Sequence, residues 1–517
     1  MIDTILYFMD NYSALGGAAY TILQQAVLMR RQNKRVTVAV SDYGEGEICQ
    51  AYLQICQEND IEVVRHTFGV SNQPEDIDIL SVLDHYEELR TFIAGLKPDI
   101  LHSVQINPVV ELISRELKIP HIMNIYPALP GFFACDYIDI FPRYHICDSQ
   151  YYARVWREYL RTDSRCIRTA SYQSYGIKDC YNAVRQYICV GNLDEGKNQI
   201  SVIKAFHMAM EQGLKGQLKL YGHTDTKHLE ICQNYISDNQ LDDSISIEGF
   251  EKNMSAVYQN SEVLICGSRR ESYPNVISEA LANGLVVIST PAGGIPEVIR
   301  DRENGYLCNG YEADAIADKI MECEAAFASG TIQKILGNAR ITYETVHSPE
   351  AVTQKLLAAY GEIQQCYQPK ESITPKKLRE IFHGMIGQYE GHMQEFADAC
   401  AVGKKLWYLY HITPILKRCM TKGSKKFYIW GTGKNGLMAR QMIETFFEDI
   451  VPDGFIDSYK CGEINGLPVY APQEILQDKG NVIFVGVANG QHDIITKLTD
   501  NGFLENENFF VLAPRRW

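Results

Sequence analysis

The chain has 517 residues, room for about three domains at roughly 100–200 residues each. Its 46% hydrophobic and 22% charged positions exclude collagen-like, low-complexity and wholly disordered chains. With 49 basic and 64 acidic residues the formal charge is −15, which argues against nucleic acid, and against an anionic membrane, as partner of the whole molecule. No apolar run approaches the ~20 residues of a membrane helix, and the opening MIDTILYFMDNYSALGG lacks the basic start of a secretory signal. The 15 cysteines have no paired spacing, which fits free thiols in a reducing cytoplasm better than a disulfide or zinc framework.

Short β-rich runs alternate with longer stretches of helical period, the pattern of parallel α/β layers. A first set of strands is predicted at 4–9, 36–40, 61–64, 99–103, 121–125 and 145–148. Between the first strand and a helix running to about residue 31 lies SALGGAA, whose Gly16 and Gly17 would let backbone amides approach a phosphate closely. A second set follows at 187–191, 217–222, 245–248, 263–266 and 286–289, and a third at 427–430, 454–457 and 482–487. The expected fold is therefore α/β, with two large Rossmann-like units and a third, smaller one. Polar, weakly periodic residues 150–186 read as a connector, with the first boundary placed at 160/161. The second unit is expected to end at 366 with a returning helix. A helical spacer is then expected over 367–424, before the last unit at 425–517.

The richest stretch is SRRESYPNVISEALANG, residues 268–284, between the strand-like runs VLIC and LVVIST. Glu271 falls at a strand's carboxyl end, where ligands bind in open parallel sheets, and Glu279 falls inside the following helix. A carboxylate there accepts hydrogen bonds from sugar or ribose hydroxyls, and free amides at a helix start suit phosphate. Followed by VISTPAGGIPEVI and ENGYL, the stretch resembles the donor-binding half of glycosyltransferase family 4, a resemblance running from the N-terminus to about residue 366.

That resemblance implies a GT-B fold and a retaining, metal-independent hexosyl transfer from a nucleoside-diphosphate-sugar, UDP- or GDP-linked. It implies that Glu279 holds the ribose, that Glu271 contacts the donor sugar, and that the amides of Asn275 and Val276 lie near sugar and phosphates. In VGNLDEGKN, Lys197 matches the lysine that neutralises the departing diphosphate, and Gly16 and Gly17 match the family's first glycine-rich loop. Three positions depart from the pattern. Asn192 replaces an arginine, leaving Arg269 or Arg270 to supply its charge; Tyr126 replaces a histidine near the donor sugar; and Gly222-His-Thr replaces G-x-G. The implied catalytic set is Lys197, Glu271 and Tyr126. No D-x-D pair stands at a predicted strand end of either large unit. The acceptor would be a glycan, lipid-linked in bacterial surface-polysaccharide assembly. The alternative is a degenerate GT-B protein that binds a partner transferase.

The tail carries FYIWGTGKNG, a strand followed by G-x-G-x-x-G (Gly431, Gly433, Gly436), with Asp457 closing the next strand. With INGLPVY it resembles nucleotide-binding Rossmann-like domains of bacterial surface-polysaccharide proteins, which implies a second nucleotide site. A hydride-transfer domain is the rival. Residues 404–426 hold seven basic and no acidic side chains among aromatics. They suit either a helix covering a neighbouring domain or peripheral contact with the inner face of a membrane.

Overall fold

The computed structural model describes residues 2–9, 17–41, 48–68, 85–104, 107–126, 142–160, 162–171, 181–182, 184–223, 226–269, 271–377, 426–433, 436–437, 439–440, 443, 451–487, 491–504 and 508–511. Three sheets organise them. The first contains β1 (Thr4–Met9), β2 (Arg35–Ser41), β3 (Glu62–His66), β4 (Ile100–Val104), β5 (His121–Ile125), β6 (Tyr144–Cys147) and β7 (Asp163–Cys166), in the order β3-β2-β1-β4-β5-β6-β7. The second contains β8 (Arg185–Val190), β9 (Gly216–Tyr221), β10 (Ile245–Gly249), β11 (Val263–Cys266), β12 (Val286–Ser289) and β13 (Tyr306–Leu307), in the order β10-β9-β8-β11-β12-β13. All pairings in both sheets are parallel, and the strand order reverses beside β1 in one and beside β8 in the other. Such reversal points leave a crevice at the strands' carboxyl ends, where no crossover helix covers the sheet. Runs such as VLIC and VVIS are buried along their whole length because helices cover both faces.

The third sheet holds β14 (Phe427–Trp430), β15 (Gly454–Ile456), β16 (Gly462–Ile464), β17 (Leu467–Tyr470), β18 (Val482–Val485) and β19 (Phe509–Val511), in the order β16-β17-β15-β14-β18-β19. Its one antiparallel pair, β16 with β17, turns on Asn465 (φ 50°) and Gly466 (φ 81°). That is the Asn-Gly chemistry a two-residue hairpin requires.

The stretch 150–186 is not a simple connector. It supplies the helix Gln150–Leu160 and β7, which pairs with β6 from Tyr144↔Asp163 to Cys147↔Cys166. The first unit therefore extends past 166, beyond the expected boundary at 160. A short, polar edge strand has no apolar alternation by which its sequence could announce it.

The chain also returns to the first unit. After a single π-helical turn, Tyr343–His347, the helix Pro349–Cys366 lays Val352, Leu356, Ala359, Tyr360 and Ile363 against the core built on the Gly17–Arg31 helix. Tyr360 enters a buried relay: Tyr7 Oη to Tyr360 Oη is 2.9 Å, Tyr360 Oη to His102 Nδ1 is 2.6 Å, and His102 Nε2 to Asn124 Oδ1 is 2.8 Å. The amide oxygen only accepts, so Nε2 carries the proton and Nδ1 accepts from Tyr360. This fits burial pulling the His102 pKa down to about 3. His102 thus belongs to the packing.

On the sheet's other face a second relay joins Ser103 Oγ to His121 Nε2 (2.8 Å), His121 Nδ1 to Glu111 Oε2 (2.9 Å) and Arg115 Nε to Glu111 Oε1 (2.7 Å). The order Ser–His–Glu is that of a hydrolase triad. All of these residues are buried, however, Ser103 at 0% exposure, so the relay braces β4 and β5 against the Pro108–Leu117 helix.

Candidate donor site

At the carboxyl end of β8 the chain turns through Gly191 and reaches Lys197, whose N–H donates to Asp194 Oδ1 at 2.8 Å. The turn is pressed onto the end of β9: a Cβ on Gly222 would stand 2.1 Å from the Gly191 carbonyl oxygen. The Lys197 ammonium forms an ion pair with Glu271, beyond the end of β11, and Ser268 Oγ donates to the same Glu271 Oε1 at 3.0 Å. Desolvation works against the charged lysine, but the charge and hydrogen bond of Glu271 outweigh it and hold its pKa above the ordinary value. The Lys197 side chain is 30% exposed, so a ligand can still reach it.

Beneath Glu271 runs the turn Ala292–Gly294. Gly293 sits at φ 51°, and a Cβ there would lie 1.8 Å from the Glu271 carbonyl oxygen. Only glycine fits that conformation and that gap. Past Pro274 the helix Asn275–Ala282 begins. One turn on, Glu279 accepts a 2.5 Å hydrogen bond from Tyr258 Oη, while burial pushes the Glu279 pKa up.

The first unit closes the other side. Gly17, at the start of its helix, comes so near that a Cβ would be 3.6 Å from Asn275 Nδ2. Tyr20, one turn on, feels the Glu279 charge, although burial is the larger cause of its raised pKa. Two helix N-termini therefore face each other beside one ammonium. Each presents the positive end of a helix dipole, so the arrangement favours an anion with several oxygens.

This stretch matches a known family. Residues 181–326 fit the model for glycosyl transferases group 1. N-acetyl-alpha-D-glucosaminyl L-malate synthase of Bacillus anthracis is 26% identical over 166 residues, 32% of this chain and 41% of the relative. The capsular polysaccharide biosynthesis glycosyltransferase CapM of Staphylococcus aureus is 24% identical over 173 residues, 33% and 44% of the two chains. Residues 181–326 are a glycosyl transferases group 1 domain. The chain spans less than half the length of these curated relatives.

Around that domain the fold is GT-B. The crystal structure of a glycosyltransferase from Rickettsia africae aligns over 71% of this chain and 99% of its own, with TM-score 0.58 and 16% identity. Anabaena HepE in complex with UDP-glucose aligns over 69% and 100%, with TM-score 0.56 and 16% identity.

Within the group 1 domain the structure brings Lys197 and Glu271 together, and it sets Asn275, Val276 and Glu279 on the helix that follows. Asn192 uses its backbone carbonyl to accept from Gln199 Nε2 at 2.8 Å. Arg269 stands beside the Lys197 turn. Its N–H is tied to the Gly196 carbonyl at 2.7 Å, and its guanidinium pairs with Glu312 at 2.9 Å. Gly16 and Arg270 lie outside the described residues. Tyr126 directly follows β5, and its hydroxyl accepts from Asn124 Nδ2 at 3.2 Å, as part of the His102 network.

In the third unit, Gly431 (φ 112°) and Gly436 make the expected tight turn, since a Cβ on Gly436 would be 2.0 Å from the Gly431 carbonyl oxygen. Asp457 is already occupied. It accepts from Thr432 Oγ1 (2.6 Å), Thr432 N (3.3 Å), Tyr459 N (2.9 Å) and Lys460 N (3.1 Å), and these bonds hold its pKa below the carboxylate range despite desolvation. No helix among the described residues is long and apolar enough to cross a membrane, and residues 404–425 lie outside them.

Sequence reasoning missed Tyr258, Ser272 and Asp148. The last carried one signal, a carboxylate at the carboxyl end of a predicted strand. Its partner lies 124 residues away, beyond the range of any local pattern.

Proposed function

We propose that the chain is a retaining glycosyltransferase moving a hexose-type sugar from a UDP- or GDP-sugar to a glycan hydroxyl. The observation that carries this reading is the convergence of the Lys197 ammonium with the helix starts at Gly17 and Asn275 in the inter-unit crevice. A diphosphate bound there would exchange part of the Lys197–Glu271 contact for its own oxygens. Glu271 would then be free for the sugar hydroxyls, while Glu279 takes the ribose. Negative charge grows on the leaving diphosphate in the transition state, and a preorganised ammonium with helix amides stabilises it there. The cation's role thus goes to Lys197, and no metal is assigned. Tyr126 and Asn192 complete the proposed set beside the donor. Relatives named for colanic acid and capsule synthesis, such as WcaL and CapM, support a bacterial surface polysaccharide as the product; the proposed acceptor is a lipid-linked glycan at the cytoplasmic face.

The test is incubation of the full chain with a panel of UDP- and GDP-sugars, following nucleoside diphosphate release. Release with one donor, abolished by Glu271→Ala, is expected. Tight donor binding with no turnover against any acceptor would instead favour a degenerate binding protein, the reading that Asn192 motivates.

For the third unit we propose a second nucleotide site at Gly431, Gly433 and Gly436, with Asp457 ordering its first turn through Thr432. Full chain carrying Lys197→Ala and Glu279→Ala should retain one uridine-nucleotide site per chain in calorimetry. Binding of NAD in its place would support the hydride-transfer rival.

A further inference from the structure

The two units meet at a second contact, beside the donor site. Asp148, directly after β6 of the first unit, accepts a hydrogen bond from Ser272 Oγ, the residue following Glu271 in the second. Next to it Ser149 packs on Gly294, where a Cβ would stand 2.4 Å from the serine Cβ and 2.8 Å from the Ser272 carbonyl oxygen. The Gly294 N–H in turn donates to that carbonyl at 2.7 Å. One turn further, Glu297 caps the Gln150–Leu160 helix of the first unit, accepting from Gln150 N (2.7 Å) and Tyr151 N (2.8 Å) while pairing with Arg168. The backbone of Glu271 and Ser272 is thus held from below by the glycine turn and from the side by the opposite unit.

We propose that Asp148 is a positioning residue: through Ser272 it holds the Glu271 segment from the facing unit, so that the donor site is assembled only while the two units touch. This inference rests on the donor-site reading of Glu271. Asp148 is 6% exposed in the closed arrangement, and burial pushes its pKa up to about 7. The Ser272 hydrogen bond, its own backbone N–H and the Arg168 charge oppose that shift, while the Glu271 charge adds to it. Tyr126, Tyr273, Cys147 and Cys166 also face it, and burial raises the pKa of all four, keeping them neutral near pH 7. A carboxyl whose pKa is raised in the closed form favours that form at low pH, and the advantage is lost as pH rises through the raised value.

Amide hydrogen exchange of the full chain, with each rate divided by its intrinsic rate at that pH, reads the contact at 271–275 and 293–297. In the parent chain, protection should fall progressively as pH rises from roughly 4 to 8, because the carboxyl titrates near 3.8 when released and near 7 when clamped. Asp148→Asn keeps the acceptor for Ser272 but cannot titrate, so its protection should stay at the low-pH level throughout. Asp148→Ala and Ser272→Ala should lose protection at every pH. In the release assay, Asp148→Ala should raise the donor KM about tenfold with kcat within about twofold, because the competent form becomes the minor one. Parent-like protection in Asp148→Ala, or a pH dependence that persists in Asp148→Asn, would overturn the proposal. If the parent chain releases no nucleoside diphosphate, the donor-site reading fails, and exchange alone still decides whether Asp148 clamps the units.

Discussion

Lys197→Ala should slow nucleoside diphosphate release by about 10²–10³-fold at saturating donor, the cost typical of deleting one preorganised group aimed at developing charge. Two effects combine. The departing diphosphate loses its only ammonium in the crevice among the described residues, and Glu271 is left with Ser268 alone as its hydrogen-bond partner. Glu271→Gln should also lower kcat, because an amide is a weaker acceptor for sugar hydroxyls and cannot hold Lys197 electrostatically. The pair shares one contact, so the double variant should fall well short of the product of the two single effects. Steady-state release rates for parent, singles and double check this. A Lys197→Ala chain within about twofold of the parent would remove Lys197 from the reaction.

Arg115→Met should cost about 3–5 kcal/mol of stability, read from the midpoint of urea unfolding followed by fluorescence. Both partners of the Arg115–Glu111 pair are nearly inaccessible, with side chains 3% and 4% exposed. Methionine fills much of the arginine stem's volume, so the loss would come mainly from a carboxylate left buried with His121 as its remaining partner. Glu111→Gln should cost a similar amount, since it leaves the Arg115 guanidinium buried without a counter-charge and turns an amide NH2 toward one of its former donors. A loss below about 1 kcal/mol in either variant would mean that the buried charge pair does not set the effect.

The sheet architecture was legible because strands buried on both faces must be continuously apolar, as in VLIC and VVIS, whereas the helices between them are not. The donor helix was legible from Glu271, Pro274 and Glu279, whose spacing links a strand end to a helix start. What escaped the sequence depends on distant partners. Asp148 draws its meaning from Ser272, and the Arg269 guanidinium pairs with Glu312, 43 residues on. Asp457 shows the same limit in the third unit. Its place after the second strand was readable, but not that Thr432, inside the glycine motif itself, donates to its oxygen. β7 was missed because its four residues, DSRC, carry no periodicity.

The return of the Pro349–Cys366 helix to the first unit also sets an order of assembly. Tyr360 supplies the hydroxyl that the buried imidazole of His102 needs, and Leu356 and Ile363 cover apolar surface on the Gly17–Arg31 side. None of these groups exists while the ribosome is still translating the middle of the message. The lobe synthesised first must therefore wait, with part of its interior uncovered, and is finished only after its neighbour's strands have all been made.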